Sequence, residues 1–488
     1  MKKTWTKLFT ALTLVTVTIL TVIVSGCASG NTSDAKRYDN SINYFYADAE
    51  GRTHFMVNDV LLDDSIKGTV EAFISCDGSV GLARAGTGLF KIDGSGISKL
   101  YPAGVQRALL SQDNNTAVFT TATEVHIYDL RTGELNDVKP EGAASIPSIV
   151  ISPSGNSVGF TVKDASGSFT AYAYEAGESR KLAENAFIAG ISDGAKRFYY
   201  VRPDDAALMY VSGSSSREIC KAVSSQIEFN RDLTEALFDI DGSTYYSING
   251  SEAKPLIEGA SVCSTNAECR STQGGDICQI DVLDCATLFN CVFYSSLTSS
   301  SDGRTAYNLW YVDGGRHTTA LVKGASQFRI LDDKSRIACL VDGTVYLMNS
   351  KHPGDREQMA QNVYSFNVTP DGKSFYYIGV DLGLYYNQDS NEPKLIAPNA
   401  VYSLLTPEGK CLFISDFSDT GKLHLADGDS PVIDIAENVA HIEVMPHVCF
   451  YYSGMYNNGS HDVYDVFSSA DGLSFEKSVA GAYMNNGD

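Results

Sequence analysis

Short apolar and aromatic runs separated by turn-forming residues fill most of the chain after residue 40. The tripeptide Phe-Tyr-Tyr, for example, occurs at 198–200, 375–377 and 450–452, and each copy is followed by turn formers and a second apolar run. Runs of four to seven residues that are rich in β-branched and aromatic side chains predict β-strands. No segment of this region sustains an apolar period of about 3.6 residues, so the pattern predicts almost no helix.

A turn motif recurs within this pattern. Its clearest copies are Thr-Pro-Asp-Gly-Lys at 369–373, Thr-Pro-Glu-Gly-Lys at 406–410 and Ser-Pro-Ser-Gly at 152–155. Proline presets the first turn position and glycine tolerates a positive φ, so each copy marks a tight β-turn. Looser copies lie at 76–78, 112–114, 192–194, 231–232 and 331–333. Apart from one interval of 100 residues, the anchor positions of neighbouring copies lie 36 to 41 residues apart, which indicates a structural repeat.

About four predicted strands per repeat of about 39 residues are typical of a β-propeller blade. Residues 369–377 (TPDGKSFYY) also resemble the Ser-Pro-Asp-Gly-Lys repeat of TolB-type and WD-like propellers, although the Trp-Asp dipeptide of true WD repeats is missing. The long interval from Asp232 to Asp332 contains one unit without a clear motif and an insertion, and Pro446 marks a last unit, which makes ten anchors. We therefore predict an all-β fold, a β-propeller of about eight four-stranded blades within a range of about 7 to 10. The alternative is two smaller tandem propellers with a seam near residue 258.

The first 27 residues resemble the signal and lipobox of bacterial lipoproteins. Three lysines precede an apolar stretch at 8–24, and Val-Ser-Gly-Cys follows at 24–27. Small residues before a cysteine permit cleavage, and the thiol of Cys27 can carry a lipid that anchors the chain to a membrane. The alternative is an uncleaved anchor helix, since the stretch approaches the roughly 20 residues that span a bilayer. We predict a signal peptide at 1–26, a lipidated tether at 27–40 and a repeat domain at 41–488.

Charge narrows the range of partners. The chain has 37 Lys and Arg against 59 Asp and Glu, a formal charge of −22, or −25 without residues 1–26. Nucleic-acid affinity comes mostly from Lys and Arg that neutralise phosphates, so we expect no nucleic-acid partner. A content of 43% hydrophobic and 20% charged residues excludes a disordered or multi-span membrane protein. The predicted location is the extracytoplasmic face of the cell membrane, reached through the lipid anchor.

Five of the ten cysteines other than Cys27 crowd into an insertion at about 259–300. They are Cys263, Cys269, Cys278, Cys285 and Cys291. Their spacing of 6 to 9 residues contains no Cys-x-x-Cys pair and the insertion has no histidine, which disfavours zinc. Two interpretations stay open, a disulfide-stapled loop in an exported protein and reduced, apolar side chains. The remaining cysteines lie in or beside strand runs and are expected in the core: Cys76, Cys220, Cys339, Cys411 and Cys449.

Catalytic motifs are absent from the sequence. It contains no Gly-x-Ser-x-Gly elbow, no phosphate-binding loop and no His-Glu-x-x-His helix, and His441 and His447 are expected to be surface or capping residues. Asp and Asn at 381–383, 389–391 and 427–429 could bind a structural calcium ion, although hairpin turns demand the same residues. We expect no other cofactor. Residues 469–475 resemble a shortened sialidase Asp-box, a structural turn that supports a propeller and not glycosidase activity.

Three functions fit these features. The leading prediction is a non-enzymatic cell-surface lipoprotein whose propeller binds a protein or glycan partner through loops around its channel mouth. The first alternative is an extracytoplasmic carbohydrate-active or peptidase-like enzyme, with two carboxyl groups about 5 to 10 Å apart across that mouth. The second is a sensory ectodomain that signals through another polypeptide. Most of the 27 tyrosines are expected to pack between blades.

Overall fold

The computed structural model describes residues 22–24, 42–47, 52–57, 60–74, 79–111, 113–264, 287–297, 306–331, 336–388, 392–406, 408–445, 448–457, 462–469 and 471–483. Strands dominate this part of the chain, and its one helical element is a 3₁₀ turn at Asp193–Ala195. The all-β prediction is therefore confirmed. Within the same ranges, no helix has the length and apolarity that a bilayer crossing requires.

The strands form eleven consecutive units. Unit 1 contains β2 (Ile42–Ala47), β3 (Arg52–Val57) and β4 (Val60–Lys67), and unit 2 contains β5 (Thr69–Ile74), β6 (Val80–Ala85), β7 (Gly88–Asp93) and β8 (Gly96–Tyr101). Unit 3 contains β9 (Arg107–Leu110), β10 (Thr116–Thr120), β11 (Val125–Asp129) and β12 (Leu135–Val138). Unit 4 contains β13 (Ala143–Ile151), β14 (Ser157–Asp164), β15 (Phe169–Glu175) and β16 (Glu178–Glu184). Unit 5 contains β17 (Phe187–Ile191), β18 (Arg197–Arg202), β19 (Ala207–Ser212) and β20 (Ser215–Cys220). Unit 6 contains β21 (Val223–Phe229), β22 (Glu235–Ile240), β23 (Ser243–Ile248) and β24 (Lys254–Ile257). Unit 7 contains β25 (Cys263–Ser264), β26 (Cys291–Leu297), β27 (Ala306–Val312) and β28 (Thr318–Ala325).

Units 8 to 11 complete the chain. Unit 8 contains β29 (Gln327–Ile330), β30 (Arg336–Val341), β31 (Thr344–Asn349) and β32 (Arg356–Gln361), and unit 9 contains β33 (Val363–Val368), β34 (Ser374–Gly379), β35 (Leu384–Gln388) and β36 (Lys394–Ala397). Unit 10 contains β37 (Ala400–Leu405), β38 (Cys411–Ser415), β39 (Gly421–Ala426) and the first half of β40 (Ile433–Met445). Unit 11 contains the second half of β40, β41 (Val448–Asn457), β42 (Asp462–Ser469) and β43 (Glu476–Tyr483). Units 10 and 11 form one seven-stranded sheet, because β40 pairs with β39 at its start and with β41 at its end.

Unit 2 has one additional strand. Val22–Val24 (β1) pairs with β5 in parallel, whereas all strands within the units pair antiparallel in sequence order. This segment belongs to the predicted signal peptide. Cleavage before Cys27 would remove β1 and leave unit 2 with four strands, as in units 3 to 11.

The predicted turn anchors coincide with the units. Each of the nine anchors that have a position in the sequence falls between the first and second strands of one of units 2 to 6 and 8 to 11. In unit 7, which lacks a clear motif, the corresponding connection contains the insertion between Ser264 and Cys291. Ten four-stranded units are at the upper end of the predicted range, and the three-stranded unit 1 has no copy of the motif.

Apolar clusters join neighbouring units around the molecule. Phe55 of unit 1 packs in one cluster with Ile92 of unit 2, and Leu237 of unit 6 packs with Phe293 of unit 7 across the predicted seam. The first and last units also meet, because β2 contacts β43. The described residues therefore form one closed series of sheets, which is the arrangement of a β-propeller.

Hydrogen bonds between neighbouring units follow the period of the sequence. Gln327 in β29 accepts from the backbone N–H of Phe366 in β33 at 3.1 Å and donates to its carbonyl at 2.8 Å. Similar bonds join Asn367 to Ser403, Ser148 to Ile188, Ser154 to Asp193, Arg197 to Asp232 and Arg336 to Asp371. Their partners lie 35 to 40 residues apart, so polar contacts fix each of these units to the next.

Aromatic side chains fill the spaces within and between the sheets. Tyr199 in β18 is fully buried, and its ring lies 4.9 Å from Tyr210 and 4.6 Å from Phe229 of the next unit. The tyrosines that are buried in this way are Tyr199, Tyr210, Tyr311, Tyr376, Tyr377, Tyr386, Tyr451, Tyr452 and Tyr464. These nine tyrosines serve packing, whereas the expectation that most of the 27 tyrosines do so stays a prediction.

Candidate functional site

The predicted lipidation site and most of the cysteine cluster lie outside the described residues. This applies to Cys27, Cys269, Cys278 and Cys285, and also to Cys76 of the expected core set. Cys263 begins β25. Cys291 begins β26, and its buried thiol donates to the carbonyl of Leu288 at 3.5 Å. Cys339, Cys411 and Cys449 are buried as expected, and Cys220 is half-buried.

The predicted calcium ligands act as turn residues where they are described. Asp381 accepts from the hydroxyl of Tyr385 at 2.6 Å and from the N–H of Gly383 at 3.0 Å, and these hydrogen bonds lower the pKa of its carboxyl group. Asp429 lies 3.6 Å from the ammonium of Lys394. Residues 389–391 lie outside the described ranges. Within those ranges, no three His, Cys, Asp or Glu side chains come close enough to hold a metal ion.

The Asp-box-like segment folds as a turn, as the sequence predicts. Asp471 accepts from Ser469 Oγ at 2.7 Å, from Leu473 N at 2.8 Å and from Ser474 N at 2.9 Å. These hydrogen bonds, the one from Ser474 foremost, lower the pKa of Asp471 to about 2. The carboxylate is therefore committed to closing the turn.

Ser415, His424 and Asp434 form a hydrogen-bonded chain across three neighbouring strands of unit 10. They lie in β38, β39 and β40. His424 Nε2 lies 2.8 Å from Ser415 Oγ, and His424 Nδ1 lies 2.7 Å from Asp434 Oδ1. These partners and distances are those of a serine-hydrolase triad.

A second histidine shows the same arrangement in unit 3. His126 in β11 is fully buried, and its Nδ1 lies 2.7 Å from Asp137 Oδ1 in β12. Its ring stacks on Phe119 of β10 at 4.9 Å. In place of a serine, the carboxylate of Glu124 lies 3.7 Å from its Nε2.

The repetition assigns a structural role to both networks. His424 stacks on Phe413 at 4.8 Å, as His126 stacks on its phenylalanine, and each histidine stands directly opposite its aspartate on the neighbouring strand. Ser415 is 5% exposed, so a substrate carbonyl has little access to its hydroxyl. We therefore interpret the Phe–His–Asp arrangement as a connection between strands and not as an active site.

A polar cluster joins the first strands of units 10 and 11. Tyr452 donates to Glu443 Oε2 at 3.0 Å, and the His441 ring lies 5.8 Å from the Tyr402 ring and 5.7 Å from the Tyr452 ring. Burial raises the pKa of Glu443, lowers that of His441 and raises that of Tyr402 to about 12. Burial therefore disfavours the charged form of each of these groups, which form a packed layer. His447, the sequence neighbour of His441, lies outside the described residues.

Two surface depressions lie between neighbouring units. One of about 420 Å³ separates units 5 and 6 and is lined by charged residues that include Asp193, Arg197 and Arg231. Asp193 accepts from Ser154, and Arg197 donates to the carbonyl of Asp232, so both side chains serve contacts between units. The other, of about 350 Å³, lies between units 7 and 8, and no histidine or cysteine lines either depression.

One edge of units 9 and 10 exposes large apolar side chains. Val380 and Leu382 lie in the turn from β34 to β35, and Phe417 lies in the turn from β38 to β39. Together with Tyr364 and Leu395 of unit 9 they are 40 to 65% exposed, and we call these five residues the apolar edge. They make up most of the eight large apolar side chains that are exposed in the described part of the chain. Such a concentration makes this edge a candidate contact surface.

Hydrogen bonds link the two turns of the apolar edge across units 9 and 10. The carbonyl of Leu382 accepts from the N–H of Ala400 at 2.7 Å, and the carbonyl of Asn399 accepts from the N–H of Asp416 at 3.1 Å. The Asn399 side chain also donates to the Asp416 carboxylate at 3.0 Å. These bonds hold both turns in fixed positions before any partner arrives.

Sequence reasoning missed this edge. The turn sequences Val-Asp-Leu-Gly at 380–383 and Asp-Phe-Ser-Asp-Thr at 416–420 contain Asp and Gly, and their apolar residues look like parts of the flanking strands. The available signal was an apolar residue between turn formers, where a polar residue is ordinary.

The comparisons with known proteins add no family. No protein-family model and no curated protein matches the sequence. Among solved structures, the chain is similar to a eukaryotic initiation factor, with 10% identity over 81% of this chain and 95% of that chain and a TM-score of 0.38. It is also similar to oligogalacturonate lyase in complex with manganese (14%, 72% and 96%, TM-score 0.32) and to tricorn protease (9%, 89% and 58%, TM-score 0.31). These scores are too low to support an argument, so the class of protein, a β-propeller of repeated antiparallel sheets, rests on the sheets themselves.

Proposed function

We propose that the chain is a lipid-anchored protein of the extracytoplasmic face of the cell membrane, and that its propeller binds a protein partner without catalysing a reaction. The anchor is supported by the lipobox-like sequence that ends at Cys27. Binding is supported by one observation, the exposure of five large apolar side chains on adjoining turns and strands of units 9 and 10.

A protein partner fits this edge better than a glycan. Four of the five side chains, those of Val380, Leu382, Leu395 and Phe417, have no hydrogen-bonding group. A sugar that covered them would lose water from its hydroxyl groups without new hydrogen bonds. A protein can instead bury its own apolar side chains against the edge, with a gain of about 25 cal/mol for each Å² of apolar surface removed from water.

Catalysis receives less support from the site geometry. The Ser415–His424–Asp434 network repeats, without a serine, in unit 3 and is shielded from solvent at its serine. Glu443, the half-buried carboxyl group of the polar cluster, has a raised pKa and accepts a hydrogen bond from Tyr452. Ser415 lacks the access to solvent that a hydrolytic reaction requires, and the carboxyl group of Glu443 is engaged by Tyr452.

Metabolic labelling with palmitate tests the anchor. We expect the wild-type chain to incorporate the label and the Cys27→Ala variant to lack it, because the thiol is the attachment point. A Cys291→Ala variant is the matched control for the loss of a cysteine. Equal labelling of wild type and Cys27→Ala would refute the anchor.

Affinity capture tests the binding function. The chain from residue 28 onward is immobilised and exposed to the organism's own envelope and medium, and a glycan array is probed in parallel. We expect saturable capture of a specific protein and no retained glycan. Turnover of a glycan or peptide without a stable partner would favour the enzymatic alternative and contradict the proposal.

A further inference from the structure

The backbone at Leu382 is strained, although the residue is exposed. Its φ of +63° lies in the left-handed region, which glycine and asparagine tolerate and a leucine adopts at a cost in conformational energy. The side chain is 42% exposed, so core burial does not offset this cost.

Non-glycine residues with positive φ also occur in the equivalent turns of other units, among them Ala206 in unit 5 and three aspartates. Asp241 in unit 6, Asp342 in unit 8 and Asp416 in unit 10 have positive φ values between 47° and 53° in the turns from the second to the third strand. Aspartate stabilises such turns through its short polar side chain. Leu382 differs from these residues because it places a large apolar side chain in solvent at a strained backbone position.

Carboxylates flank the apolar side chains of this edge. Asp381 precedes Leu382, and Asp416 and Asp419 enclose Phe417 in its turn. The hydrogen bonds from Tyr385 and Gly383 lower the pKa of Asp381, which keeps it ionised at neutral pH. Neither 380–383 nor 416–420 contains Lys or Arg, and the first basic residue after the second turn is Lys422. The edge therefore presents apolar side chains beside three carboxylates, with Lys422 opposite Ser415 at the end of the second turn.

We infer that the apolar edge binds a protein segment that carries both apolar and basic side chains. The apolar groups of such a segment would cover Val380, Leu382 and Phe417, and its Lys or Arg residues would meet the surrounding carboxylates. An anionic lipid surface would be repelled by the same carboxylates. This inference rests on the proposed partner-binding function and specifies the chemistry of the partner.

Synthetic peptides test the required chemistry. Labelled peptides of equal length, built from Leu and Lys, from Leu and Glu, or from Ser and Lys, are titrated with the chain from residue 28 onward, and fluorescence anisotropy is measured. We expect the Leu/Lys peptide to bind at least about tenfold more tightly than the other two, and its affinity to fall as salt screens the carboxylates. Equal binding of the Leu/Glu peptide, or binding to phosphatidylglycerol vesicles in place of the peptide, would overturn the inference.

A substitution at the strained residue locates the site. Leu382→Asn should weaken Leu/Lys binding by about tenfold, because an apolar contact is lost, while the free energy of unfolding stays the same or increases, because asparagine tolerates positive φ. Phe417→Ser gives an independent variant in the second turn. Leu135→Asn, at an exposed leucine in unit 3, is the matched control and should leave binding unchanged. Equal affinity of wild type, Leu382→Asn and Phe417→Ser would place the peptide elsewhere and refute the inference.

The two proposals fail in different ways. If the immobilised chain captures no protein from the envelope or medium, the proposed function fails whatever the peptides do. If a captured partner is retained equally by Leu382→Asn and Phe417→Ser, the partner-binding function stands and only the apolar edge is excluded.

Discussion

Replacing Tyr199 with phenylalanine should stabilise the protein. The Tyr199 hydroxyl is fully buried, and none of the described residues offers it a hydrogen bond. Burial raises the pKa of Tyr199, so its hydroxyl stays protonated and uncharged at neutral pH. A buried hydroxyl without a partner costs about 1 to 3 kcal/mol, whereas phenylalanine keeps the ring contacts with Tyr210 and Phe229. We therefore expect Tyr199→Phe to raise the free energy of unfolding by about 1 kcal/mol.

The molecule contains a matched control for this substitution. Tyr376 occupies the same place in the Phe-Tyr-Tyr sequence of unit 9 and is also buried, but its hydroxyl accepts from the N–H of Gly428 at 2.7 Å. Tyr376→Phe removes this acceptor and should lower the free energy of unfolding by about 1 kcal/mol. The two variants should thus differ by about 2 kcal/mol, although the chemical change is identical.

Equilibrium urea unfolding followed by far-ultraviolet circular dichroism measures this difference. Wild type and both variants are compared at one pH and salt concentration, and an unchanged m-value shows that the exposed surface on unfolding is the same. A loss of stability in Tyr199→Phe as large as that in Tyr376→Phe would refute the reasoning, since it would mean that the Tyr199 hydroxyl has a bonded partner.

Three further substitutions test the turns and the contacts between units. Gly155→Ala should lower the free energy of unfolding by at least about 2 kcal/mol, because the new Cβ would lie 2.5 Å from Thr116 Oγ1. Gly167→Ala is the control, since Gly167 also has a positive φ but faces open space, and it should lower this free energy by about 1 kcal/mol in the same urea assay. Asp471 has a pKa of about 2 instead of 3.8. Its ionised carboxylate therefore stabilises the fold at pH values above 3.8, and this contribution is lost as the pH falls towards about 2. Asp471→Asn should therefore lower the free energy of unfolding at neutral pH and weaken the pH dependence of this free energy between the two pKa values. Urea unfolding at several acidic pH values measures that dependence. A pH dependence equal to that of wild type would contradict the argument. Gln327→Ala removes two hydrogen bonds to the backbone of the next unit and should lower the free energy of unfolding by about 1 to 3 kcal/mol, and a urea midpoint equal to wild type would contradict this.

The repeat could be predicted from the sequence because turn chemistry is local. The Pro and Gly of 369–373 act within a few residues, and the turn there closes as predicted, with Thr369 Oγ1 donating to Asp371 at 2.7 Å. Unit 1 escaped prediction because its connection between β2 and β3 carries no copy of the motif. The strand boundaries in unit 7 were hidden by the insertion that separates β25 from β26.

The networks and the apolar edge depend on register and packing, which a single sequence does not display. Ser415, His424 and Asp434 lie 9 and 10 residues apart, and only the pairing of β38, β39 and β40 brings them together. Val380 and Leu382 have the composition of a strand residue, and their exposure depends on where β34 ends and on the absence of a covering segment among the described residues. Turn anchors can thus be predicted from the sequence, whereas cross-strand partners can be predicted only when the register of the strands is known.

The two ends of each sheet have different tasks, and this difference explains where a partner can bind. In an antiparallel unit, the turn after the first strand and the turn after the second strand lie at opposite ends. Turns of the first kind contact the next unit through Ser154 with Asp193 and through Arg336 with Asp371, so their polar groups are already engaged in joining the units. A substitution there acts on the stability of the ring. The apolar turns of units 9 and 10 are of the second kind, and their backbone groups are bonded while their side chains face solvent. A substitution of these side chains can therefore change binding without weakening the ring, which is the property that a recognition surface on a repeat protein needs.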